Sequence, residues 1–456
     1  MMGRNDEYQS KMEFIDLNDF VPTNHILRLI LERIDFSFIY VKMESFYSKL
    51  GRKSLDPVLL FKMLLIGYLF NIDSERELEQ EVHLNLAYRW FLGLDLTDRI
   101  PDHSIFSQNR RRRFKDSAVF QEIFDHIVSL CIEKGLVTGE TIVTDSTHIK
   151  ASASKDQVKK VEVEKTPSQY LNTLEEEAKK LEKELQEKRE NVGRKKAGRK
   201  PKESTTKIVS VSKTDPDSGL LNRPGKPSGP HYLAHTSIDT QNGIIIDIHP
   251  SAGNVNDCEP YVERLKVIKE KFHLNIKNVG ADRGYDTTPI HHGLKKLGIT
   301  GYISPTQYDS AFKTTSHREF TYNSENDIYL CQNKKELAFT HLMRKGETNY
   351  KTYSAKTQDC KVCPFRVECF GKTATKRTIS RPIAYELLEE NMKRTKTSDY
   401  KLVQKLRRVW CEGSFGTMKI KHNLYKTYKR GIQKIHEQCL FSALALNLKR
   451  MVKVMN

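Results

Sequence analysis

The order of apolar runs between residues 141 and 304 most narrows the folds open to this chain. Thr141-Ile-Val-Thr-Asp145 is a short β-branched run that ends on an acid. His231–Asp239 and Gly243–His249 are two more apolar-rich runs placed around Gln241-Asn242-Gly243. An Asn-Gly pair between such runs is a hairpin signal, because both residues tolerate positive φ. A helix is expected from Glu259 to Phe272 and a strand from Ile276 to Asp282, then a helix near Thr288–Leu297 and a short strand, Ile299–Ser304. Three strands, a helix and further strands describe an α/β domain with a mixed sheet flanked by helices.

Two of these strands end in aspartate, and a third acid stands in a distinctive setting downstream. Asp145 runs into Ser-Thr-His-Ile-Lys-Ala, Asp282 into Arg283-Gly284-Tyr285, and Glu412 lies in Arg408-Val-Trp-Cys-Glu412-Gly-Ser-Phe-Gly-Thr-Met-Lys419. Most carboxylates are solvated surface, and an aspartate at a strand end is often a turn residue. Two strand-end aspartates with a glutamate on a late helix nevertheless suit hard cations such as Mg²⁺, which take oxygen ligands and clamp the two oxygens of an in-line phosphoryl displacement. At about 100° per residue, a single helix would bring Arg408 within about 40° and Lys419 within about 20° of Glu412. The bland reading of that trio is a surface salt-bridge ladder worth under about 1 kcal/mol. His148, His235 and Asp257 lie close to these acids in sequence and are assigned no role.

The blocks around Asp145, Gly280–Tyr285 and Arg408–Arg450 resemble those of bacterial insertion-sequence transposases of the DDE class. The last carries Arg408, Glu412 and Lys419 at the family's spacing of Arg, three residues, Glu, six residues, Lys, whereas Lys405 stands where the family has tyrosine. The resemblance implies an RNase H-like fold with Asp145 and Asp282 on neighbouring strands. It also implies two Mg²⁺ ions, replaceable by Mn²⁺, held by Asp145, Asp282 and Glu412. Arg408 and Lys419 would hold DNA phosphates. Expected partners are the element's terminal inverted repeats, target DNA and a second copy of the chain at synapsis. The rival reading is a transposase-derived DNA-binding repressor without chemistry, and a third is a nuclease that never joins strands.

Charge points the same way. Lys and Arg number 76 against 58 acids, a net of +18, which favours polyanionic partners through counter-ion release. A membrane-surface role lacks an anchor. The longest apolar stretch, Pro57 to Phe70, contains Lys62 and is shorter than the roughly 20 residues of a spanning helix. The charged first residues lack a signal-peptide core, and eight cysteines are too few for a disulfide scaffold. A bacterial cytoplasmic, nucleoid-associated protein is the expectation.

Residues 1–137 read as a helical DNA-binding domain. Pro57 suits the first turn of an apolar helix, and Ser74-Glu-Arg-Glu77 is a capping box. Ser104 could cap a helix presenting Gln108 and Arg110, Arg111, Arg112 and Arg113, either to DNA or simply to solvent. Residues 138–150 and 207–305 would form the first part of the catalytic core, and 396–456 its C-terminal helices. Between them fall a helical and basic insertion, 151–206, and a cysteine-bearing one, 306–395. Leu171, Leu174, Ala178, Leu181 and Leu185 make a short heptad-like seam in the first insertion, and 191–202 is a basic run, either linker or DNA-clamping arm. In the second, Cys331, Cys360, Cys363 and Cys369 could close a tetrahedral Zn²⁺ site, with a reduced thiol cluster or iron–sulfur ligation as alternatives.

Overall fold

A computed structural model describes residues 16–164, 179–184, 187, 206–222, 228–306, 320–369 and 373–455, apart from 49, 52–53, 116, 185–186 and 346–347. The heptad-like seam, Leu181 excepted, and the 191–202 run lie outside the described residues. The chain divides into two units, each assembled from separate stretches: residues 1–137, 242–248 and 414–456 form one, and 138–241 with 249–413 the other. Among the described residues, no helix is long and apolar enough to cross a membrane.

In the first unit, Asp56 opens helix Pro57–Leu69 by accepting from the Val58 amide at 2.7 Å. This helix is apolar on every side, and ten of its residues are buried, as expected of a helix wrapped by others. Helix Ile432–Met455 is one of its neighbours and packs also on Ile26–Arg33 and Val119–Glu133. Phe441 meets Phe61, Tyr68 and Phe120 with ring centroids 5.2, 5.3 and 5.6 Å away. Fully buried Asn447 bonds both the amide and the carbonyl of Ile245 at 2.8 Å, which ties residues 242–248 into this unit. Residues 414–456, expected with the sheet, therefore fold with the N-terminal helices, because the long last helix buries both flanks there. The Ser74 hydroxyl accepts from the Glu77 amide, so the expected cap is present. Ser104, in contrast, is the first residue of its helix, and Asp102 accepts its amide at 2.8 Å.

The second unit contains the expected sheet. Its strands are β1 (Thr141–Lys150), then β4 (Gly219–Leu221), β5 (Gly229–Asp239), β6 (Ile245–Ala252), β7 (Asn278–Ala281) and β8 (Thr300–Ile303); β2 and β3 lie outside it. The order is β4-β5-β1-β7-β8, and β6, whose part from His249 belongs to this unit, pairs with β5. β1 runs antiparallel to β5 and parallel to β7, and β7 parallel to β8. An antiparallel group followed by two parallel strands is the mixed, RNase H-like arrangement. Gly280 on β7 permits close packing: a Cβ there would stand 2.5 Å from Val403 and 3.2 Å from Val143. Helix Ser398–Arg407 thus lies tight on the sheet, and Gln404 pins it by donating to the carbonyls of Ala281 (3.0 Å) and Tyr302 (2.6 Å).

One element departs from the sequence expectation, and another was given no secondary structure by it. The ends of the 151–206 insertion are not helical: β2 (Val158–Glu164) pairs antiparallel with β3 (Thr206–Ser212). Val158, Val161 and Val163 carry the β-branched content that favours this ribbon. The cysteine-bearing insertion is built on a five-stranded antiparallel sheet, β9 (Thr321–Asn323), β10 (Ile328–Leu330), β11 (Glu336–Lys345), β12 (Thr348–Ala355) and β13 (Thr378–Pro382). Phe320, Tyr329, Leu337, Tyr353 and Ile379 form its core.

Candidate active site

The parallel register places the two aspartates. Val143 pairs with Gly280, and each lies two residues before an aspartate. Side chains alternate along a strand, so Asp145 and Asp282 emerge from the same face at neighbouring positions. β1 runs on to Lys150, so only Asp282 stands at a strand end, and Asp145, expected to end its strand, lies midway along β1. Each is locally fixed. Asp145 accepts from the Ser146 amide through Oδ1, and Asp282 from the Gly284 amide, both at 2.8 Å. Burial lifts the Asp145 carboxyl to about 6; the charges of Asp282 and Asp257 add to this, while the Ser146 amide and Arg407 oppose it.

Glu412 reaches this end of the sheet by a route the sequence did not disclose. Residues Arg408–Glu412 form a π-helical turn between helices Ser398–Arg407 and Gly413–Lys421. The Trp410 indole donates to the Thr240 carbonyl at 2.9 Å and fastens the turn just beyond β5. A π turn brings residues i and i+5 together, and such turns recur at functional sites. The cation facing Glu412 is consequently Arg407, five residues back. Its Nη1 donates to Asp145 Oδ2 at 2.7 Å, and its Nη2 stands 3.4 Å from Glu412 Oε1. The sequence reading set Arg408 beside Glu412; the ion pair Glu412 makes is with Arg407, and Arg408 is exposed. Lys419 is half-buried on helix Gly413–Lys421, in the first unit. Arg407 was missed because the angular count assumed an unbroken α-helix.

The donor set is all oxygen, which a hard divalent cation takes. Asp282 is near enough to Asp145 to act on its charge, although among the described residues no three of these carboxylates have ligand atoms within 4.8 Å of one another. Asp145 and Glu412 already converge on one cation, the Arg407 guanidinium. The residues fit Mg²⁺ in that sense.

The arginine run of the first unit divides. Arg110 is not a free DNA contact: its guanidinium binds Glu437 at 2.7 Å and also pairs with Glu75, leaving its side chain 10% exposed. Lys429 completes the cluster, 3.0 Å from Glu437. Arg111 and Arg112 are exposed. Arg113 lies over the Tyr47 ring at 4.1 Å and donates to Asn109. Near the start of this helix, Glu79, Asp102 and His103 have ligand atoms within 4.8 Å of one another. There the His103 ring nitrogen hydrogen-bonds Glu79 at 2.7 Å and Asp102 accepts the Ser104 amide, so the group is accounted for by helix-end hydrogen bonds.

Cys331, Cys360 and Cys369 gather at the core of the five-stranded sheet. Burial pushes the Cys369 thiol up, and the other three cysteines are near enough to add to this. Thiolates suit zinc, but among the described residues no three of these sulfurs lie within 4.8 Å of one another. A ZnS₄ tetrahedron has edges of about 3.8 Å, so the site is not closed for zinc as it stands.

An all-oxygen donor set beside such a sheet is of the kind that metal-assisted phosphodiester chemistry would use. Residues 15–112 match the family model of a transposase domain (DUF772), and residues 330–452 that of a transposase DDE domain. These matches make the two stretches transposase segments, the second of the DDE class, and the chain a polynucleotidyl-transferase enzyme. Solved structures give looser likenesses. The piggyBac transposase synaptic complex with hairpin DNA is 10% identical over 94% of this chain and 74% of its own, at a TM-score of 0.35. The Mos1 mariner paired-end complex with Mn is 10% identical over 58% and 63%, at 0.17. The Mos1 strand transfer complex gives 9%, 58% and 63%, also at 0.17. Scores this low decide nothing about the site. No curated protein matches the chain.

Proposed function

We propose that the enzyme cuts DNA at the ends of its element and joins the freed 3′-hydroxyl to target DNA. Asp145, Asp282 and Glu412 would hold two Mg²⁺ ions. The observation that carries this reading is the shared face of Asp145 and Asp282 on adjacent parallel strands, with Glu412 linked to Asp145 through Arg407. When bound, Mg²⁺ supplies Lewis-acid stabilisation to the phosphoryl oxygens and lowers the pKa of an attacking water. Asp145, held by the Ser146 amide, and Asp282, held by the Gly284 amide, keep their oxygens in place. Arg407 is the group positioned to turn from carboxylate to phosphate, since its fork fits both planar partners. Exposed Arg408, Arg111 and Arg112, with Lys419 and Arg113, would contact the backbone of the terminal repeats and target. Synapsis of two ends would use a homodimer.

The test is strand cleavage and strand transfer on labelled DNA carrying the flanking inverted repeats, in Mg²⁺ or Mn²⁺, with Asp282→Asn as control. Joined product from the wild type alone supports the assignment. End binding without cut strands would mean a repressor, and cut strands without joined product a nuclease. Structural zinc at Cys331, Cys360, Cys363 and Cys369 is supported by their gathering and their donor chemistry, and opposed by their spacing. Metal analysis of the purified chain decides it: one zinc per chain, lost in Cys360→Ser, or none.

A further inference from the structure

A fourth acid, Asp257, stands beside the site on a segment the reading above does not use. It lies between β6 and helix Tyr261–Lys271, in a loop pinned at both ends. The Gly253 amide donates to the His231 carbonyl at 2.9 Å, and a Cβ on Gly253 would come within 2.5 Å of that oxygen. At the other end the Cys258 thiol donates to the Gly284 carbonyl at 3.1 Å, and the Cys258 amide to Asn256 at 3.1 Å. The loop is therefore fastened to the turn that follows Asp282.

Tyr285, in that same turn, supplies an independent sign. Its side chain is 1% exposed, and its hydroxyl has no hydrogen-bond partner among the described residues. An unmade bond to a buried hydroxyl costs about 1–3 kcal/mol, so such a group calls for an explanation. Tyr261 packs edge-on against its ring at 4.8 Å and holds it in place. Burial, and then the charges of Asp257, Asp145 and Asp282, keep the phenol well above its ordinary value. Three carboxylates are thus near enough to this buried hydroxyl for their charges to act on it.

Granting the triad reading, we propose that Asp257 is a fourth carboxylate of the metal site, facing the ions held by Asp145 and Asp282, with the Tyr285 hydroxyl as the donor that orients the group. Asp257 contributes charge and a ligand oxygen, and Tyr285 acts only by positioning. Partners that orient metal ligands are typically worth about 10–100-fold in metal affinity.

The experiment titrates the full chain with Mn²⁺ and counts free ion by electron paramagnetic resonance. It compares wild type with Asp257→Asn, Asp257→Glu, Tyr285→Phe and Asp282→Asn, and thermal melts confirm that each variant is folded. The expected result is a loss of about tenfold or more in Mn²⁺ affinity for Asp257→Asn, a smaller loss for Tyr285→Phe, and partial recovery in Asp257→Glu. Wild-type affinity in Asp257→Asn, alongside lost binding in Asp282→Asn, overturns this inference and leaves the triad standing. No Mn²⁺ binding by the wild type, or none that Asp282→Asn disturbs, overturns the triad and the inference with it. Should Asp257→Asn fail to fold, Tyr285→Phe decides, and unchanged affinity there removes the positioning role.

Discussion

Arg407 and Glu437 show two opposite uses of a charged side chain. Arg407 spans a mostly buried acid and an acid 59% exposed, and its link to Glu412 is worth at most about 1 kcal/mol. Replacing it with alanine removes the 2.7 Å partner of mostly buried Asp145, so melting should fall, while strand cleavage falls further, by about tenfold or more, because a phosphate loses its two-pronged partner. Equal losses of stability and activity would count against that role. Glu437 is fully structural. Burial opposes its charge, but Lys429 and Arg110 hold its carboxyl down to about 2, from an ordinary 4.5. A depressed folded-state pKa contributes stability that is present above about 4.5 and lost as pH falls towards about 2. Urea melts should therefore show the wild type weakening across that window. Glu437→Gln should be weaker by about 3–5 kcal/mol at neutral pH, because it strands two buried cations, and should respond less to acid.

At the scale of elements, Gly280 and the π turn decide where chemistry can occur. Gly280→Ala would force a methyl group into Val403 and push helix Ser398–Arg407 off the sheet. About 1–3 kcal/mol of destabilisation is expected, with cleavage falling further than stability because Arg407 and Glu412 ride on that helix. Denaturant melts beside a cleavage assay would reveal the difference. The core strands were legible because β-branched runs bounded by Asn-Gly or leading to an acid leave few alternatives, although β1 runs past Asp145 to Lys150. The π turn was not legible, since nothing in Arg-Val-Trp-Cys-Glu announces one inserted residue, and a constant angular step selects Arg408 over Arg407. The β2–β3 ribbon was overlooked for another reason. Its strands lie on either side of a Glu- and Lys-rich segment whose helical periodicity is the louder signal. Asp257 was visible as a residue, but only the Cys258–Gly284 contact brings its loop to the Asp282 turn.

For the molecule as a whole, both units are discontinuous in sequence. The leucines of the last helix announce burial, yet periodicity cannot name the partner, and the pairing of Phe441 with Phe61 and Tyr68 exists only in three dimensions. A chain ending at residue 413 would lack the helix that fills the first unit. Its N-terminal helices should then lose their cooperative melt and become protease-sensitive, whereas a chain ending at 413 whose residues 16–137 stayed protected would contradict the packing described. The same interleaving has a consequence during synthesis. On the ribosome, the first unit must wait for its final helix until the entire second unit has been translated. Nonsense or frameshift lesions at any point before Ile432 should therefore yield fragments for degradation, not DNA-binding remnants able to compete with the intact enzyme.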